Sequence, residues 1–589
     1  MSTRHLFNSP DGLVAKSLRG VVAYNQRLGL DETHRVVFDS AHDRSKVSII
    51  GGGGAGHEPA WAGYVGANLL AASISGDVFA SPTTKQVLAA AERVPTDVGT
   101  IMVIGNYTGD CLHFGLANEK LNANGCPARL LICGDDVSIG KGNRVGRRGL
   151  PGHVPVLKMI GAAAERGGSL DEVYELGVAT SKQTVTIAAT FDRCHVPGRR
   201  QDDFSTVAHD TVELGTGVHN EPGFMKISPT PAADELVRQM LRHCLDESDK
   251  ERGYMHLEPN DETVLLCTNI GGMSYLEMGA LVDEALEQLE RDWNVVPTRV
   301  YSGPAETSLN ANAFSITLIN LTAATKSCTY TTANMKDFLD ARTDTHWESL
   351  AGSQSGQRRP RREQLTQDTP HPAPRSVPSV DPKVEPARLE KILRTACNAL
   401  VEAEPDLTKW DTVMGDGDCG ETVKTGATAL LAALDDEKVA EAGSTNAILA
   451  TLEEVAESRM GGTLGGILGI LFASLRSAIA KGPQPGNDHT PLWAAAVASA
   501  LTSLRRYTPA AVGDRTIMDT LIPFAAALEG GDFDAAVRAA AEGAESTKRI
   551  TPRLGRATYV GIKEGEELPP DPGAWAAAVA VQGLKDGMS

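Results

Sequence analysis

The chain has 589 residues, with 56 Lys and Arg against 75 Asp and Glu and a formal net charge of −19. This acidic balance weighs against nucleic acid or an anionic membrane as the main partner. The length predicts about three or four domains at roughly 100–200 residues each. The nine cysteines include no CxxC pair and the first residues include no apolar signal segment. We therefore expect a cytoplasmic protein with reduced thiols.

The first part of the chain alternates short apolar runs with helical patterns. The runs lie in "KVSII", "GTIMVIGNYTGD", "ARLLICGDD", "ETVLLCTNIGG" and "AFSITLINL". Runs that end in Gly, Asp or Asn are typical of buried strands with functional loops at their ends. We predict an α/β domain over residues 1–345, made of two α/β subdomains that divide near residues 185–200.

The segment from Val47 to Leu70 predicts a strand, a glycine loop and a helix. Gly51, Gly53 and Gly56 fit the G-x-G-x-x-G dinucleotide pattern, but polar residues follow at once where such a helix is normally apolar. We favour a loop of backbone amides at a helix start, with His57 directed into the same pocket.

Two further polar residues stand in glycine-containing segments. Asp110, in "GNYTGD", is either a general base or the N-cap of the next helix. His219, in "GTGVHNEPG", is an imidazole that can act as a base, a metal ligand or a nucleophile. Together with His57 they can orient and deprotonate a small hydroxylated substrate, and the residues alone predict no more than a small polar ligand. The similar segment "GDDVS", residues 134–138, is interpreted as structural.

The second part of the chain differs in composition. Residues 346–386 are rich in Pro, Ser, Gln and Arg and predict a flexible linker. Residues 387–589 have almost no β-branched runs, and their amphipathic patterns predict an all-α domain. Its most apolar stretch, Leu464–Ala480, contains Arg476 and is shorter than a membrane span needs, so we predict a buried helix.

Three aspartates, Asp411, Asp416 and Asp418, stand within eight residues in "KWDTVMGDGDCGE". Carboxylates this close repel one another unless a cation lies among them. Oxygen ligands favour Mg²⁺ or Ca²⁺, and the EF-hand spacing is absent. Mg²⁺ with the phosphates of a nucleotide fits better, and an exposed acidic turn is the other interpretation.

Two more segments favour a nucleotide. Gly461, Gly462 and Thr463 stand at a predicted helix start, where amides and the helix dipole attract phosphate. Asp514 and Arg515 stand in "VGDRT", where the arginine can stabilise charge on a phosphoryl group. The sequence has neither a P-loop nor the protein kinase signatures.

These motifs, in this order, resemble the ATP-dependent dihydroxyacetone kinases, or triokinases, of the single-chain type. The resemblance runs nearly end to end. In the first domain it rests on "GGGGAGHEPAWAGYVG", "GNYTGD", "CHVPG", "ELGTGVHNEPG" and "SLNANAFSITL", and in the second on "MGDGDCG", "GGT", "GDRTIMDTL" and "GRATYVG…PDPGA". It implies that the second domain is an eight-helix barrel that binds ATP, and that the protein is a homodimer.

The resemblance also implies roles for the first domain's residues. His219 would hold the substrate's carbonyl carbon as a covalent hemiaminal, which selects ketones and aldehydes over glycerol. Asp110 would be the general base, and His57 would stand with it against the substrate hydroxyl. The substrate site would be formed by His219, His57 and Asp110 with Gly53, Gly54 and Gly105.

In the second domain, the resemblance implies that Asp411, Asp416 and Asp418 hold two Mg²⁺ ions that bridge the phosphates of ATP. Such a clamp is a common way to stabilise phosphoryl transfer. The ATP-binding residues would be Gly415, Cys419, Gly420, Gly461, Gly462, Thr463, Asp514 and Arg515.

The implied reaction is the phosphorylation of dihydroxyacetone, and of D-glyceraldehyde, by ATP. Two alternatives stay open: an FAD-AMP lyase (cyclising) reaction at the same nucleotide site, and a catalytically silent regulator. Similar helical domains phosphorylate fatty acids on a separate carrier, but the fused first domain argues against that function. The chain departs from the family pattern at Ala55, Glu421 and Leu464, which bear on rate and specificity more than on the class of reaction.

Overall fold

The computed structural model describes residues 5–199, 206–352, 364–365, 380–415, 417–483, 488–554 and 568–589. The chain divides into two compact units, residues 1–368 and residues 369–589. The first unit is α/β and the second is helical, which confirms the predicted classes of the two parts.

The first sheet holds the strand that carries the glycine-rich segment. Its strands are β1 (Leu28–Asp31), β2 (Val36–Asp39), β3 (Ser48–Ala55), β4 (Ala72–Val78), β5 (Thr100–Gly105) and β6 (Ala128–Cys133), and its helices are α1 (Leu13–Ala23), α2 (Thr84–Arg93) and α3 (Thr108–Ala123). The spatial order is β1-β2-β4-β3-β5-β6. β3, β4, β5 and β6 run parallel, so the carboxyl ends of β3 and β5 meet at one edge.

The glycines of "GGGGAG" lie inside β3 rather than in a loop, and a single 3₁₀ turn, Ala62–Tyr64, follows where we expected a helix. The expectation of a glycine loop at a helix start is therefore wrong. Close packing explains the difference, because a Cβ on Gly52 would lie 2.4 Å from the carbonyl oxygen of Ile74 on β4. Here glycine permits close approach of two strands rather than a turn.

The second sheet begins at Thr184, beside the predicted division near residues 185–200. Its strands are β7 (Thr184–Asp192), β8 (Val212–Leu214), β9 (Met225–Ile227), β10 (Thr263–Asn269), β11 (Arg299–Gly303) and β12 (Asn312–Asn320), and its outer helices are α6 (Ala233–Leu245) and α7 (Tyr275–Trp293). The order is β11-β10-β12-β7-β8-β9. Only β10 and β11 pair in parallel; the other described pairs are antiparallel.

A helical layer joins the two sheets into one core. It consists of α4 (His153–Glu165), α5 (Leu170–Lys182), α8 (Leu321–Ala324), α9 (Thr332–Asp340) and α10 (Trp347–Ala351). One apolar cluster runs from Ile49 on the first sheet through Ile160 on α4 to Leu266 on the second sheet. The first sheet and the second sheet are therefore stabilised by the same buried layer.

The described ends of the predicted linker, residues 346–386, are ordered. Trp347 is buried and its ring contacts that of Tyr301, with centroids 4.6 Å apart. At the other end, the backbone N–H of Val384 donates to the carbonyl oxygen of Gly443 at 2.9 Å. Apart from residues 364 and 365, residues 353–379 lie outside the described part of the chain.

The described residues of the second unit form eight α-helices. They are α11 (Pro386–Met414), α12 (Cys419–Ala432), α13 (Thr445–Arg459), α14 (Gly462–Lys481), α15 (Thr490–Leu504), α16 (Met518–Leu528), α17 (Phe533–Ser546) and α18 (Pro572–Met588). Consecutive helices pack against each other, and α18 packs against α11. Gly583 and Gly587 allow this last contact, because a Cβ on either would lie 2.6 Å from a Cα atom of α11.

In the described part of the chain, α14 is the one helix long and apolar enough to cross a membrane by length and composition. It has 20 residues, so our expectation that it is too short to span is wrong. Leu471, Leu475 and Ile479 are buried, and Arg476 pairs with Glu453 of α13 at 2.7 Å. Burial of one apolar face against neighbouring helices is what packing in a helical unit requires.

Two helical glycines give a matched test of this packing. A Cβ on Gly161 of α4 would lie 2.5 Å from the Cα of Leu69, whereas nothing lies within 4 Å of a Cβ on Gly115 of α3. Gly161→Ala should lower the free energy of unfolding by roughly 1–3 kcal/mol. Gly115→Ala should raise it by roughly 0.5–1 kcal/mol through helix propensity. Urea titrations followed by circular dichroism measure both, and a stabilising Gly161→Ala would contradict the packing of α4.

Candidate active site

Two imidazoles from different sheets meet in the first unit. His57 follows β3, His219 lies in the loop after β8, and their Nε2 atoms are 3.0 Å apart. The Nδ1 atom of His57 lies 2.8 Å from the carbonyl oxygen of Thr307. Because a carbonyl only accepts, His57 carries a proton on Nδ1. Burial lowers the pKa of His57 to about 3, so its Nε2 presents a lone pair to His219.

Glu221 holds the opposite side of His219. One carboxylate oxygen accepts the backbone N–H of His219 at 2.7 Å, and the other lies 3.2 Å from His219 Nδ1. Burial alone would raise the pKa of Glu221, but its hydrogen bonds with His219 lower it to about 2. The carboxylate therefore favours the His219 tautomer that carries its proton on Nδ1.

The guanidinium of Arg148 lies near this carboxylate and interacts with it electrostatically. A Cβ on Gly217 would lie 2.2 Å from a carboxylate oxygen of Glu221 and 2.9 Å from Nη1 of Arg148, so glycine makes room for both groups. Arg148 also donates to Asp136 at 2.7 Å and to the carbonyl oxygen of Gly215 at 2.7 Å. The segment 134–138, interpreted as structural, thus supports the His219 loop through an ion pair that the sequence did not indicate.

The "CHVPG" motif also positions the His219 loop. Asn220 adopts a left-handed backbone conformation, with φ of 63°. Its side chain accepts the backbone N–H of Cys194 at 3.1 Å and donates to the Cys194 carbonyl oxygen at 3.1 Å. Among the described residues, no group of three or more His, Cys, Asp or Glu could hold a metal ion. The backbone of Cys194 thus holds the side chain of Asn220 in the His219 loop.

Aromatic rings surround the imidazole of His219. Phe79 and Tyr107 make edge-to-face contacts with it, with ring centroids 5.2 Å and 4.6 Å away. The Tyr107 hydroxyl donates to the carbonyl oxygen of Gly149 at 2.9 Å. These contacts fix the orientation of the ring, so that Nε2 is its one nitrogen directed at His57.

Asp110 is the third residue of α3, and Tyr107 occupies the N-cap position. The N-cap interpretation of Asp110 is therefore wrong. Burial raises the pKa of Asp110 to about 6, partly offset by a hydrogen bond with Ser81. Among the described residues, its Oδ1 is buried without a hydrogen-bond partner. A buried carboxyl group with a perturbed pKa and a free oxygen is a candidate for a functional site.

The predicted substrate-binding glycines face different ways. A Cβ on Gly53 would lie 3.9 Å from Oδ2 of Asp110, so the side of β3 that carries Gly53 faces this carboxylate. Gly54 faces the opposite side, where a Cβ would lie 2.8 Å from the backbone nitrogen of Ala80. Gly105 packs against Tyr107. A role for Gly54 or Gly105 in substrate binding therefore depends on backbone atoms.

In the second unit, Asp411 and Asp418 flank the glycine loop between α11 and α12. The backbone N–H of Cys419 donates to Oδ2 of Asp411 at 3.0 Å. A Cβ on Gly462 would lie 4.0 Å from Oδ2 of Asp418, so the start of α14 lies beside this loop. Asp416, the third predicted ligand, lies outside the described residues. The two described aspartates thus stand where a helix N-terminus favours anions.

Arg515 lies buried in a left-handed conformation, with φ of 61°. Its Nη2 donates to the carbonyl oxygen of Pro569 at 2.8 Å, whereas Nε and Nη1 are buried without partners among the residues that the structure describes. Asp519 fixes this loop by accepting the backbone N–H groups of Gly513 at 2.6 Å and Thr516 at 2.7 Å. An unpaired buried guanidinium is costly, and an anionic ligand would satisfy it.

The remaining predicted nucleotide residues differ in exposure. Gly461 and Thr463 are exposed at the start of α14. Asp514 accepts the backbone N–H of Ala511 at 2.9 Å. Gly420 is a packing residue, because a Cβ there would lie 2.2 Å from the hydroxyl oxygen of Thr408.

The residues around the aspartate loop and the three departures from the family pattern differ in their environments. Burial, with Asp411 nearby, raises the pKa of the Cys419 thiol to about 12, so this thiol stays protonated at neutral pH. Gly415 is exposed after α11. Glu421 is exposed in the first turn of α12, Leu464 packs in an apolar cluster, and Ala55 is buried.

Comparison with known proteins identifies the family. A Dak1 domain matches residues 19–346 and a DAK2 domain matches residues 413–586. The chain is 40% identical to a dihydroxyacetone kinase of Pichia angusta, over 100% of this chain and 99% of that protein. It is 32% identical to a triokinase/FMN cyclase of Homo sapiens, over 99% of both. The crystal structure of the dihydroxyacetone kinase from C. freundii in complex with AMP-PNP and Mg²⁺ is similar, with a TM-score of 0.63 and 26% identity over 99% of this chain and 100% of that chain.

The chain is therefore an enzyme, a phosphotransferase with an alcohol group as acceptor. It belongs to the dihydroxyacetone kinase family, in the single-chain form that joins a Dak1 domain to a DAK2 domain. The resemblance found in the sequence is confirmed.

Asp110→Asn should stabilise the folded chain at alkaline pH. The pKa of Asp110 rises from 3.8 to about 6 on burial, so its ionised form costs stability above pH 6, and this cost fades as the pH falls toward 3.8. The variant should be more stable than the parent by roughly 1–3 kcal/mol at about pH 8, with the difference closing near pH 4. Urea midpoints at the two pH values measure this difference in stability. Equal differences at both pH values would contradict a pKa of Asp110 raised by burial.

Proposed function

We propose that the chain is an ATP-dependent kinase that phosphorylates dihydroxyacetone and D-glyceraldehyde. The observation that carries this proposal is the arrangement of His219, His57 and Asp110. An imidazole nitrogen, held from behind by Glu221, faces a second imidazole in the unit that also holds a buried carboxylate with a free oxygen. The full-length similarity to enzymes named dihydroxyacetone kinase supports the same reaction.

His219 would bind the substrate as a hemiaminal. With its proton on Nδ1, neutral His219 has a lone pair on Nε2, which forms the bond to the carbonyl carbon. The C=O π bond breaks, and the carbonyl oxygen takes a proton from solvent and becomes a hydroxyl. Glu221 holds Nδ1–H throughout and stabilises the positive charge that remains on the ring. Glycerol has no carbonyl group and cannot form this bond, so the adduct selects ketones and aldehydes.

Asp110 would act as the general base. It takes the proton of the substrate hydroxyl while the oxygen attacks the γ-phosphorus of ATP and the bond to ADP breaks. Its raised pKa, about 6, is close to the operating pH at which a base is most effective. The Nε2 lone pair of His57 is a second acceptor beside the substrate.

The second unit would bind ATP with Mg²⁺. Oxygen donors at Asp411 and Asp418, together with Asp416, suit Mg²⁺, whose chemistry is to neutralise charge on the phosphates. The unpaired nitrogens of Arg515 and the start of α14 suit phosphate oxygens. The packing of α18 on α11, which joins the last helix to the first, supports an eight-helix barrel. The proposal includes a cytoplasmic homodimer, as the resemblance implies.

A second candidate activity is the cleavage of FAD to AMP and a cyclic riboflavin phosphate at the same nucleotide site. It is favoured by the similarity to the human triokinase/FMN cyclase, 32% identical over 99% of both chains. This activity would need the second unit and its metal ions but not His219.

Release of ADP from Mg-ATP with dihydroxyacetone tests the kinase. Loss of the covalent bond in His219→Ala should lower kcat/KM for dihydroxyacetone by roughly a hundredfold and weaken the preference over glycerol. His209→Ala is the matched control, since His209 is exposed in the same region, and it should leave both unchanged. Asp416→Ala should abolish turnover by removing a metal ligand.

Failure of the intact chain to phosphorylate dihydroxyacetone or glyceraldehyde would contradict the kinase proposal. FAD would then be the next substrate to test, with AMP release as the measurement. Loss of both reactions would favour a regulator, and Glu421→Thr would test whether the extra carboxylate near the metal ligands is the cause.

The pH dependence should report Asp110. Because the base must be ionised, kcat/KM should fall about tenfold per pH unit below a pKa of about 6 and level off above it. Burial, which lowers the pKa of His57 to about 3, keeps that residue from titrating in this range. Asp110→Asn should be much slower, with no such inflection. A parent profile that is flat between pH 5 and pH 7 would contradict the role of Asp110.

A further inference from the structure

Trp61 is a buried side chain beside the site, and no step of the proposed mechanism uses it. Its indole ring stacks on the imidazole of His153, with centroids 4.5 Å apart and planes at 15°. On the side of β3, a Cβ on Gly51 would lie 2.8 Å from Cε3 of the indole. Glycine at that position therefore makes room for the ring. The indole is fixed between a strand and the first residue of α4.

The indole N–H faces the same space as the carboxylate of Asp110. A Cβ on Gly53 would lie 3.3 Å from Nε1 of Trp61, 3.9 Å from Oδ2 of Asp110 and 4.0 Å from its Oδ1. A donor and an acceptor thus flank the one position that a side chain on Gly53 would fill. Glycine keeps that position open.

Both groups lack partners in the described part of the chain. Oδ1 of Asp110 is buried without a hydrogen bond. The hydrogen bonds among the described residues include none from Nε1 of Trp61, whereas Nε1 of Trp347 donates to the carbonyl oxygen of Leu339 at 3.2 Å. The indole N–H of a largely buried tryptophan usually finds an acceptor, and the open position beside Gly53 is where a group of the substrate can supply one.

A hydroxyl is the group that satisfies both partners at once. It accepts the indole N–H through an oxygen lone pair and donates its own proton to the carboxylate. A carbonyl oxygen has no proton for Asp110, and an ammonium group has no lone pair for Trp61. We propose that Trp61 and Asp110 together bind the substrate hydroxyl that is phosphorylated, which makes Trp61 a catalytic residue; this inference rests on the proposed kinase function.

The hydrogen bond from Trp61 should strengthen during the reaction. As Asp110 takes the proton, the hydroxyl oxygen gains negative charge before its bond to phosphorus is complete. A fixed N–H donor stabilises that charge more than it stabilises the neutral hydroxyl. Loss of the N–H should therefore lower kcat more than it raises KM.

Trp61→Phe tests this inference by kinetics, because phenylalanine keeps an aromatic ring against His153 and removes the N–H. We expect kcat for dihydroxyacetone to fall by about tenfold to a hundredfold, with KM within about threefold of the parent value. Trp347→Phe is the matched control, since it removes a buried indole N–H from the same unit away from the site, and it should leave kcat unchanged. An unchanged kcat in folded Trp61→Phe would overturn the proposal.

A spectroscopic measurement separates this inference from the kinase function itself. In ¹⁵N-labelled protein without nucleotide, the indole N–H resonance that is missing from Trp61→Phe should move downfield when dihydroxyacetone is added, and that of Trp347 should stay in place. A Trp61 resonance that does not move overturns the proposal, whatever the kinetics. A resonance that moves in a chain with no turnover supports the hydroxyl site, and it is then the kinase proposal that fails.

Discussion

The Nε2 atoms of His57 and His219 lie 3.0 Å apart, and this contact joins residues from the two sheets of the first unit. His57 comes from the carboxyl end of β3 in the first sheet, and His219 comes from the loop after β8 in the second. The contact requires both segments to be fixed, and residues 307–309 bond to both, since the hydroxyl of Ser308 donates to the carbonyl oxygen of Val218 at 2.6 Å. The N–H of Leu309 donates to the Gly56 carbonyl oxygen at 2.9 Å, and the N–H of Thr307 donates to that of His57 at 3.1 Å. The geometry of the site therefore depends on how firmly these segments are held together.

Some of the buried ionisable groups have partners of opposite charge, and others do not. Glu221 is held by His219 and Arg148 is held by Asp136, so these charges are paired. Asp110 has one oxygen without a partner, and its pKa rises to about 6. In the second unit Arg515 similarly keeps two unpaired nitrogens, although Asp519 holds its loop. Uncompensated polar groups are costly to a fold, and under the proposed function a phosphoryl donor and its acceptor would compensate them.

Much of this organisation follows from local patterns in the sequence. The short apolar runs identify β3, β5, β6, β10 and β12, and the amphipathic patterns identify the helices of the second unit. His57, Asp110 and His219 were recognised because each is a reactive side chain in a glycine-containing segment at or near a strand end. The sequence predicts a loop for the glycine-rich segment, because glycine in a turn and glycine at a close approach look the same in a local sequence. Only the packing of β3 against Ile74 and Trp61 separates these two uses.

The sequence by itself determined the class of each unit, the order of the motifs and the chemistry of the three principal residues of the first site, because these depend on residue type and short-range periodicity. Only the tertiary structure decided which partners those residues have. The sequence analysis did not identify Glu221, although it is two residues from His219. Arg148 is more than seventy residues away from His219 along the chain. Trp61 and Asp110 both lie beside the position of a Cβ on Gly53. Distances between side chains on different elements are set by strand register and by the packing of the layer between the sheets, and these are properties of the whole unit rather than of any segment.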